Sequence, residues 1–123
     1  MSNNLNILVV EDNEINMALI REMLTLRDCS MTEALNGKEG IEKALSVDYD
    51  VVFMDVNLPG VDGITAMKEI KKVKPELPII AITASAMKGD DLKLIEHGFD
   101  GYVAKPISIK TLFGEVDKVL GVH

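Results

Sequence analysis

The sequence predicts an α/β fold, a five-stranded parallel sheet with helices on both faces. Three observations predict it. Short apolar runs alternate five times with segments of helical period. Three of those runs, Ile7-Leu8-Val9-Val10, Val51-Val52-Phe53-Met54 and Ile79-Ile80-Ala81-Ile82, are almost continuously apolar, as strands covered on both sides are. The 123 residues suit one domain of ordinary size, and with 4% aromatic residues and no Trp its core must be aliphatic.

The first strand is residues 7–10. A helix follows, with Asn16, Leu19, Ile20, Met23 and Leu24 at helical spacing facing inward, and Asn13 as its N-cap. The second strand covers residues 31–35 and leads into the turn dipeptide Asn36-Gly37. Ile41, Ala44 and Leu45 mark the second helix. After the third strand, Pro59-Gly60 turns the chain, Asp62 caps the third helix, and Ile64, Met67, Ile70 and Lys71 give its period. The fourth strand leads to a weaker helix over residues 87–97, ended by Gly98. Tyr102-Val103-Ala104 is the fifth strand. Ser108 caps the last helix, which carries Ile109, Leu112, Phe113, Val116, Val119 and Leu120. One domain is expected over residues 1–123, its core over about 5–120, with no internal repeat, linker or low-complexity stretch.

The net charge of −7 argues against nucleic-acid binding, which needs a basic face to displace counterions. The single cysteine, Cys29, cannot form an internal disulfide and reads as a small space-filling residue near a helix end. The N-terminus lacks the basic and apolar regions of a signal peptide, and no apolar run spans a membrane. A cytoplasmic protein is expected.

In an open α/β sheet, ligands bind beyond the carboxyl ends of the strands. Here those ends carry Glu11-Asp12, Asp55 followed by Val56-Asn57, Thr83 followed by Ala84-Ser85, and Lys105-Pro106. Singly, each has an ordinary explanation: an Asp or Asn after a strand is often a turn former, and a Lys before Pro is usually solvated. Together they bring three carboxylates, a hydroxyl and an ammonium to one sheet edge. The carboxylates repel unless a cation joins them, and an oxygen-only site suits magnesium, with manganese an alternative. Asp12 and Asp55 would ligate directly, Glu11 through water, and Asn57 through its backbone carbonyl. A phosphoryl group then explains the remainder: Lys105 counters its charge, while the Thr83 hydroxyl and the backbone N–H groups near Asn57 and Ala84 donate to its oxygens. A carboxylate can itself be the nucleophile, giving an aspartyl-phosphate on Asp55.

With Val9-Val10-Glu11-Asp12-Asn13, residues 53–60 (FMDVNLPG), Ile82-Thr83-Ala84 and Lys105-Pro106 in this order, the sequence resembles the response-regulator receiver family of two-component signalling, from about residue 5 to 120. The resemblance implies the doubly wound, flavodoxin-like strand order 2-1-3-4-5. It implies Asp55 as phospho-acceptor, Glu11 and Asp12 as the magnesium pair, Thr83 as the switch hydroxyl and Lys105 as the phosphate-binding lysine. It also implies a cis Lys105–Pro106 peptide and Tyr102 as the switch aromatic.

The expected partners are a histidine kinase or histidine phosphotransfer protein as donor, and a downstream protein target. Ile15 and Ala18, outward on the first helix, and Ile107, just beyond Lys105-Pro106, are candidate docking residues. A monomer is expected, with dimerisation on phosphorylation an alternative. A stand-alone regulator is the first reading and the receiver portion of a hybrid sensor kinase the second. Three rivals share parts of the pattern. An aspartate-nucleophile magnesium phosphatase needs an acid two residues after the nucleophile, where this chain has Asn57. A flavin binder needs hydroxyls and Gly after the first strand, where this chain has Glu11-Asp12. A non-phosphorylated adaptor would not need the full set of polar groups.

Overall fold

The computed structural model describes residues 5–84 and 90–121, with the side chains of residues 90–92 left aside. Five strands, β1 (Asn6–Val10), β2 (Ser30–Ala34), β3 (Val51–Asp55), β4 (Ile79–Thr83) and β5 (Gly101–Ala104), alternate with five helices, α1 (Glu14–Thr25), α2 (Gly37–Ser46), α3 (Gly63–Val73), α4 (Asp90–His97) and α5 (Ile109–Leu120). All strand pairs are parallel and the order is β2-β1-β3-β4-β5. The expected fold and strand order are therefore both present.

Strand alternation divides the core between two faces. Ile7, Val9, Val51, Phe53, Ile80, Ile82 and Val103 meet α1 and α5 through Ile20, Leu24, Leu112, Phe113 and Val116. Leu8, Val10, Val52, Met54, Ile79 and Ala81 point the other way, onto Ala44 of α2, Ala66, Met67 and Ile70 of α3, and Leu94 of α4. The central strands β3 and β4 are buried along their whole length, which explains their unbroken apolar runs.

The predicted caps are present. The side chains of Asn13, Asp62 and Ser108 accept from the backbone N–H three residues on, at 3.0, 2.7 and 3.2 Å. Three details differ from expectation. Asn36-Gly37 is a helix start rather than a free turn, since Asn36 caps α2 by accepting from Glu39 N–H at 2.8 Å and Gly37 is already helical. The inward stripe of α1 is Met17, Ile20, Met23 and Leu24, whereas Asn16 and Leu19 are only half-buried. Leu35 lies beyond β2 and is 52% exposed. Helix α4 is described from Asp90, so residues 87–89 of its expected range, with Ser85, lie outside the described residues.

Candidate active site at the strand ends

The carboxyl ends of β1, β3, β4 and β5 converge as the topology requires. Glu11 and Asp12 follow β1, Asp55 and Thr83 end β3 and β4, and Lys105 follows β5. Adjacent residues leave a strand in opposite directions, so Glu11 is fully buried while Asp12 is exposed. Asp55 and Thr83 are buried at 2% and 5% exposure. Ala84 and Asn57 are exposed.

The loop after β3 is held tightly. Gly63, at the start of α3, donates to the Val56 carbonyl at 3.1 Å. A Cβ at Gly63 would collide with the Asp55 carbonyl, so only glycine lets α3 begin this close to the end of β3. Leu58, 7% exposed, anchors the loop in the core. The Asn57 N–H then donates to Asp55 Oδ1 at 2.8 Å. On the other side, the Lys105 backbone N–H donates to the Thr83 carbonyl at 2.8 Å, joining the ends of β4 and β5. The Lys105–Pro106 peptide is cis.

Lys105 Nζ lies 3.1 Å from Asp55 Oδ2 and 3.3 Å from Glu11 Oε1. One ammonium is thus shared by two buried carboxylates. Glu11 Oε2 accepts from the Asn13 N–H at 3.0 Å, but Oε1 has no well-directed donor despite the nearby ammonium. Burial and the hydrogen bond shared with Asp55 push the Glu11 carboxyl up to about 7, against the Asn13 N–H and the Lys105 charge, which pull it down. Burial disfavours the Lys105 ammonium, but the hydrogen bond and charge of Asp55, with those of Glu11, outweigh it and raise its pKa.

Carboxylate oxygens of Glu11, Asp12 and Asp55 lie within 4.8 Å of one another. An all-oxygen set with one orphaned buried oxygen fits a hard divalent cation, which would complete the coordination of that oxygen. Of the residues named for this site from the sequence, Glu11, Asp12, Asp55 and Lys105 are therefore brought together. The sequence points to a backbone donor near Asn57 but for a phosphoryl oxygen rather than for Asp55, and it does not show the Asn13 N–H as the donor that orients Glu11; the cap at Asn13 is the one local signal for it.

The residues named for switching and docking fare unevenly. Tyr102 is half-buried and packs on the face shared with Ala81, Leu94 and Phe99. Ile15 is 78% exposed and Ala18 half-buried, and with Glu14, Leu19 and Glu22 they border a shallow cavity of about 420 Å³ on α1. Ile107 is a correction. It is 6% exposed and packs among Leu112, Phe113 and Val103, because the turn into α5 directs it into the core, so its side chain cannot meet a partner.

Residues 7–117 match the family described as response regulator receiver domain. The chain is 34% identical over 118 residues to the polar-differentiation response regulator DivK of Brucella anthropi, covering 94% of this chain and 96% of that protein. It is 43% identical over 113 residues to hybrid signal transduction histidine kinase G of Dictyostelium discoideum, covering 88% of this chain but 3% of that kinase. Among solved structures it resembles the receiver domain of sensor histidine kinase PA1611 from Pseudomonas aeruginosa, in which a magnesium ion is coordinated in the active site cleft. The TM-score is 0.88 at 33% identity, over 96% of this chain and 98% of that one.

Proposed function

Since the chain belongs to the response regulator receiver domain family of two-component signalling, we propose that Asp55 is its phosphoryl acceptor and that phosphorylation switches its contacts with other proteins. Receivers are regulatory modules rather than turnover enzymes, and they meet histidine kinases or phosphotransfer proteins. The observation that carries the residue assignment is the buried Asp55 carboxylate, held on Oδ1 by the Asn57 N–H and on Oδ2 by Lys105.

An Asp55 oxygen attacks the phosphorus of a phosphohistidine in line. The P–N bond breaks, and its electron pair leaves with the imidazole nitrogen. Lys105 turns from carboxylate to phosphoryl oxygen, and the Thr83 hydroxyl and Ala84 N–H donate to the others. Glu11, Asp12, Asp55 and the Asn57 carbonyl would hold magnesium, which supplies charge neutralisation between carboxylates and phosphoryl group. Asn57 cannot serve as a general acid two residues beyond the nucleophile, which favours a held phosphate over rapid ester turnover. Thr83, at the carboxyl end of β4, and Tyr102, on the neighbouring strand β5, would form the switch. Among the described residues no helix is long and apolar enough to cross a membrane, in keeping with a cytoplasmic site of action.

The test is labelling by acetyl phosphate with magnesium. The wild-type chain should label, and Asp55→Asn should not; labelling of the variant at the wild-type level would refute the assignment. The exposed Ile15 and adjacent Ala18 are the proposed docking point for the donor. Ile15→Asp should slow transfer from a phosphorylated donor about tenfold or more while labelling by acetyl phosphate stays unchanged. Equal effects on both would rule out docking there.

A further inference from the structure

At the amino end of the sheet, a cleft of about 550 Å³ opens between the segment that enters β3 and the turn that enters β4. Its apolar lining is Tyr49, Val73, Pro75, Leu77 and Pro78. Its acidic lining is Asp48, Asp50 and Glu76, all exposed. We infer that this cleft anchors a partner protein through an apolar segment bearing arginine, whatever the state of Asp55.

Charge selects a cation. Lys74 also lines the cleft, but its three N–H bonds are spent inside the fold, on the carbonyls of Ala44 and Val47 and on Asp48, at 2.7, 3.1 and 3.1 Å. Three carboxylates against one ammonium leave the lining with two negative charges in excess. The adjoining last turns do not offset them. Lys43 of α2 lies 3.9 Å from Glu39, and Lys71 and Lys72 of α3 pair with Asp100 and Glu69 at 2.6 and 2.9 Å. Residues 1–4, which precede β1 at this end and lie outside the described residues, carry no charged side chain. Hydrogen-bonding capacity points the same way. Pro75 and Pro78 have no N–H, and the N–H groups of Asp50 and Leu77 are spent on the carbonyls of Asn6 and Lys74 at 2.7 and 3.1 Å. The cleft is therefore built to accept, and it complements a basic partner while repelling nucleic acid and anionic lipid.

The apolar lining selects the kind of cation. A planar guanidinium stacks on a tyrosine face and forks to carboxylates, which an ammonium does not do. Tyr49 supplies such a face beside Asp48 and Asp50. Apolar surface continues outward on Val73, 63% exposed, and on Val47, 52% exposed, whose carbonyl holds Lys74. That spread suits apolar residues on either side of the arginine in a protein segment better than a compact small molecule. The cleft residues also sit apart from the acceptor. They precede β3 and β4, whose far ends carry Asp55 and Thr83, and a five-residue strand spans roughly 16 Å. None of the lining belongs to the strand-end site.

The experiment is an NMR titration of the whole isotope-labelled chain, with magnesium present, using a synthetic peptide with two arginines set between leucines. Counterpart peptides carry Lys or Glu at the arginine positions. The arginine peptide should shift the amides of Tyr49, Asp50, Val73 and Leu77 saturably. The lysine peptide should bind at least threefold more weakly, and the glutamate peptide should not bind. Glu76→Lys and Val73→Ser, both at exposed positions, should each weaken the arginine peptide at least threefold and leave acetyl phosphate labelling unchanged. Beryllofluoride, mimicking the phosphoryl group on Asp55, should leave the affinity within twofold. Equal binding of the arginine and glutamate peptides, shifts centred on Ile15, Asp12 or Leu94, no saturable shift at millimolar peptide, or indifference to both substitutions would each overturn the docking site. A larger response to beryllofluoride would overturn its independence from Asp55.

Discussion

The two ends of the sheet use the same residue types for opposite purposes. At the amino ends of the strands, polar groups are closed off. Asp100 Oδ2 accepts from the Ile79 N–H at 2.9 Å and from Lys71 at 2.6 Å. Lys74 donates to the carbonyls of Ala44 and Val47 and to Asp48, tying α2 to the end of α3. Asp50 accepts from the Asn6 N–H at 2.8 Å. At the carboxyl ends, one ammonium is shared by two carboxylates, one buried oxygen lacks a directed donor, and Glu11 is pushed up to about 7. A fold that satisfies Asp and Lys readily at one end leaves them short at the other. Buried groups short of partners mark where a ligand completes the structure.

The sharpest way to break this contrast is to remove one lysine from each end. Lys105→Ala should slow labelling by acetyl phosphate about a hundredfold, since it removes the charge proposed to meet the phosphoryl oxygens. Without that ammonium, Glu11 should also hold its proton to higher pH. Lys74→Ala should leave labelling intact and cost about 1–2 kcal/mol of stability in denaturant unfolding, because two carbonyls lose their donor. An activity loss with Lys74→Ala, or none with Lys105→Ala, would erase the distinction between the ends.

Glu11 sharpens the comparison through pH. Its folded pKa lies near 7, above the ordinary value of 4.5. Without metal, its contribution to stability is full below about 4.5 and is lost as pH rises through about 7. Metal competes with the proton, so magnesium affinity should rise from pH 6 to pH 8, by about tenfold at the most from this one group. Glu11→Gln should flatten both profiles. A magnesium affinity independent of pH across that range would mean that Glu11 is already ionised.

The smallest expected effect lies at the amino end. Asp28, after α1, adopts a left-handed conformation with φ 53°. Asp28→Gly should raise stability by about 0.5 kcal/mol with no change in labelling, since glycine holds this conformation without a Cβ penalty. A loss of stability would show that the aspartate side chain makes a compensating contact.

Much of this was readable in advance, for identifiable reasons. The runs of β3 and β4 are unambiguous because strands covered on both faces stay apolar up to their carboxyl ends, where Asp55 and Thr83 stand, and parallel topology puts every strand's carboxyl end on one edge. The phase of α1 differs from the expected one because Met17, rather than polar Asn16, enters the core. Asn36-Gly37 has the composition of a turn and of a helix start, and only the hydrogen bond to Asn36 distinguishes them. The burial of Ile107 is not legible in the sequence because nothing local indicates how the chain turns into α5.

From the sequence alone came the α/β alternation, the caps and the collection of acids, hydroxyl and lysine at the strand ends, since periodicity and local chemistry act over a few residues. The tertiary structure alone decided that Glu11 is buried and Asp12 exposed, that Lys105 is shared by Glu11 and Asp55, and that the Glu11 carboxyl rises to about 7. The physical reason is that desolvation and charge coupling depend on distances between residues up to 94 positions apart in the chain, Glu11 and Lys105 being 105 − 11 = 94 positions apart, which no local pattern encodes.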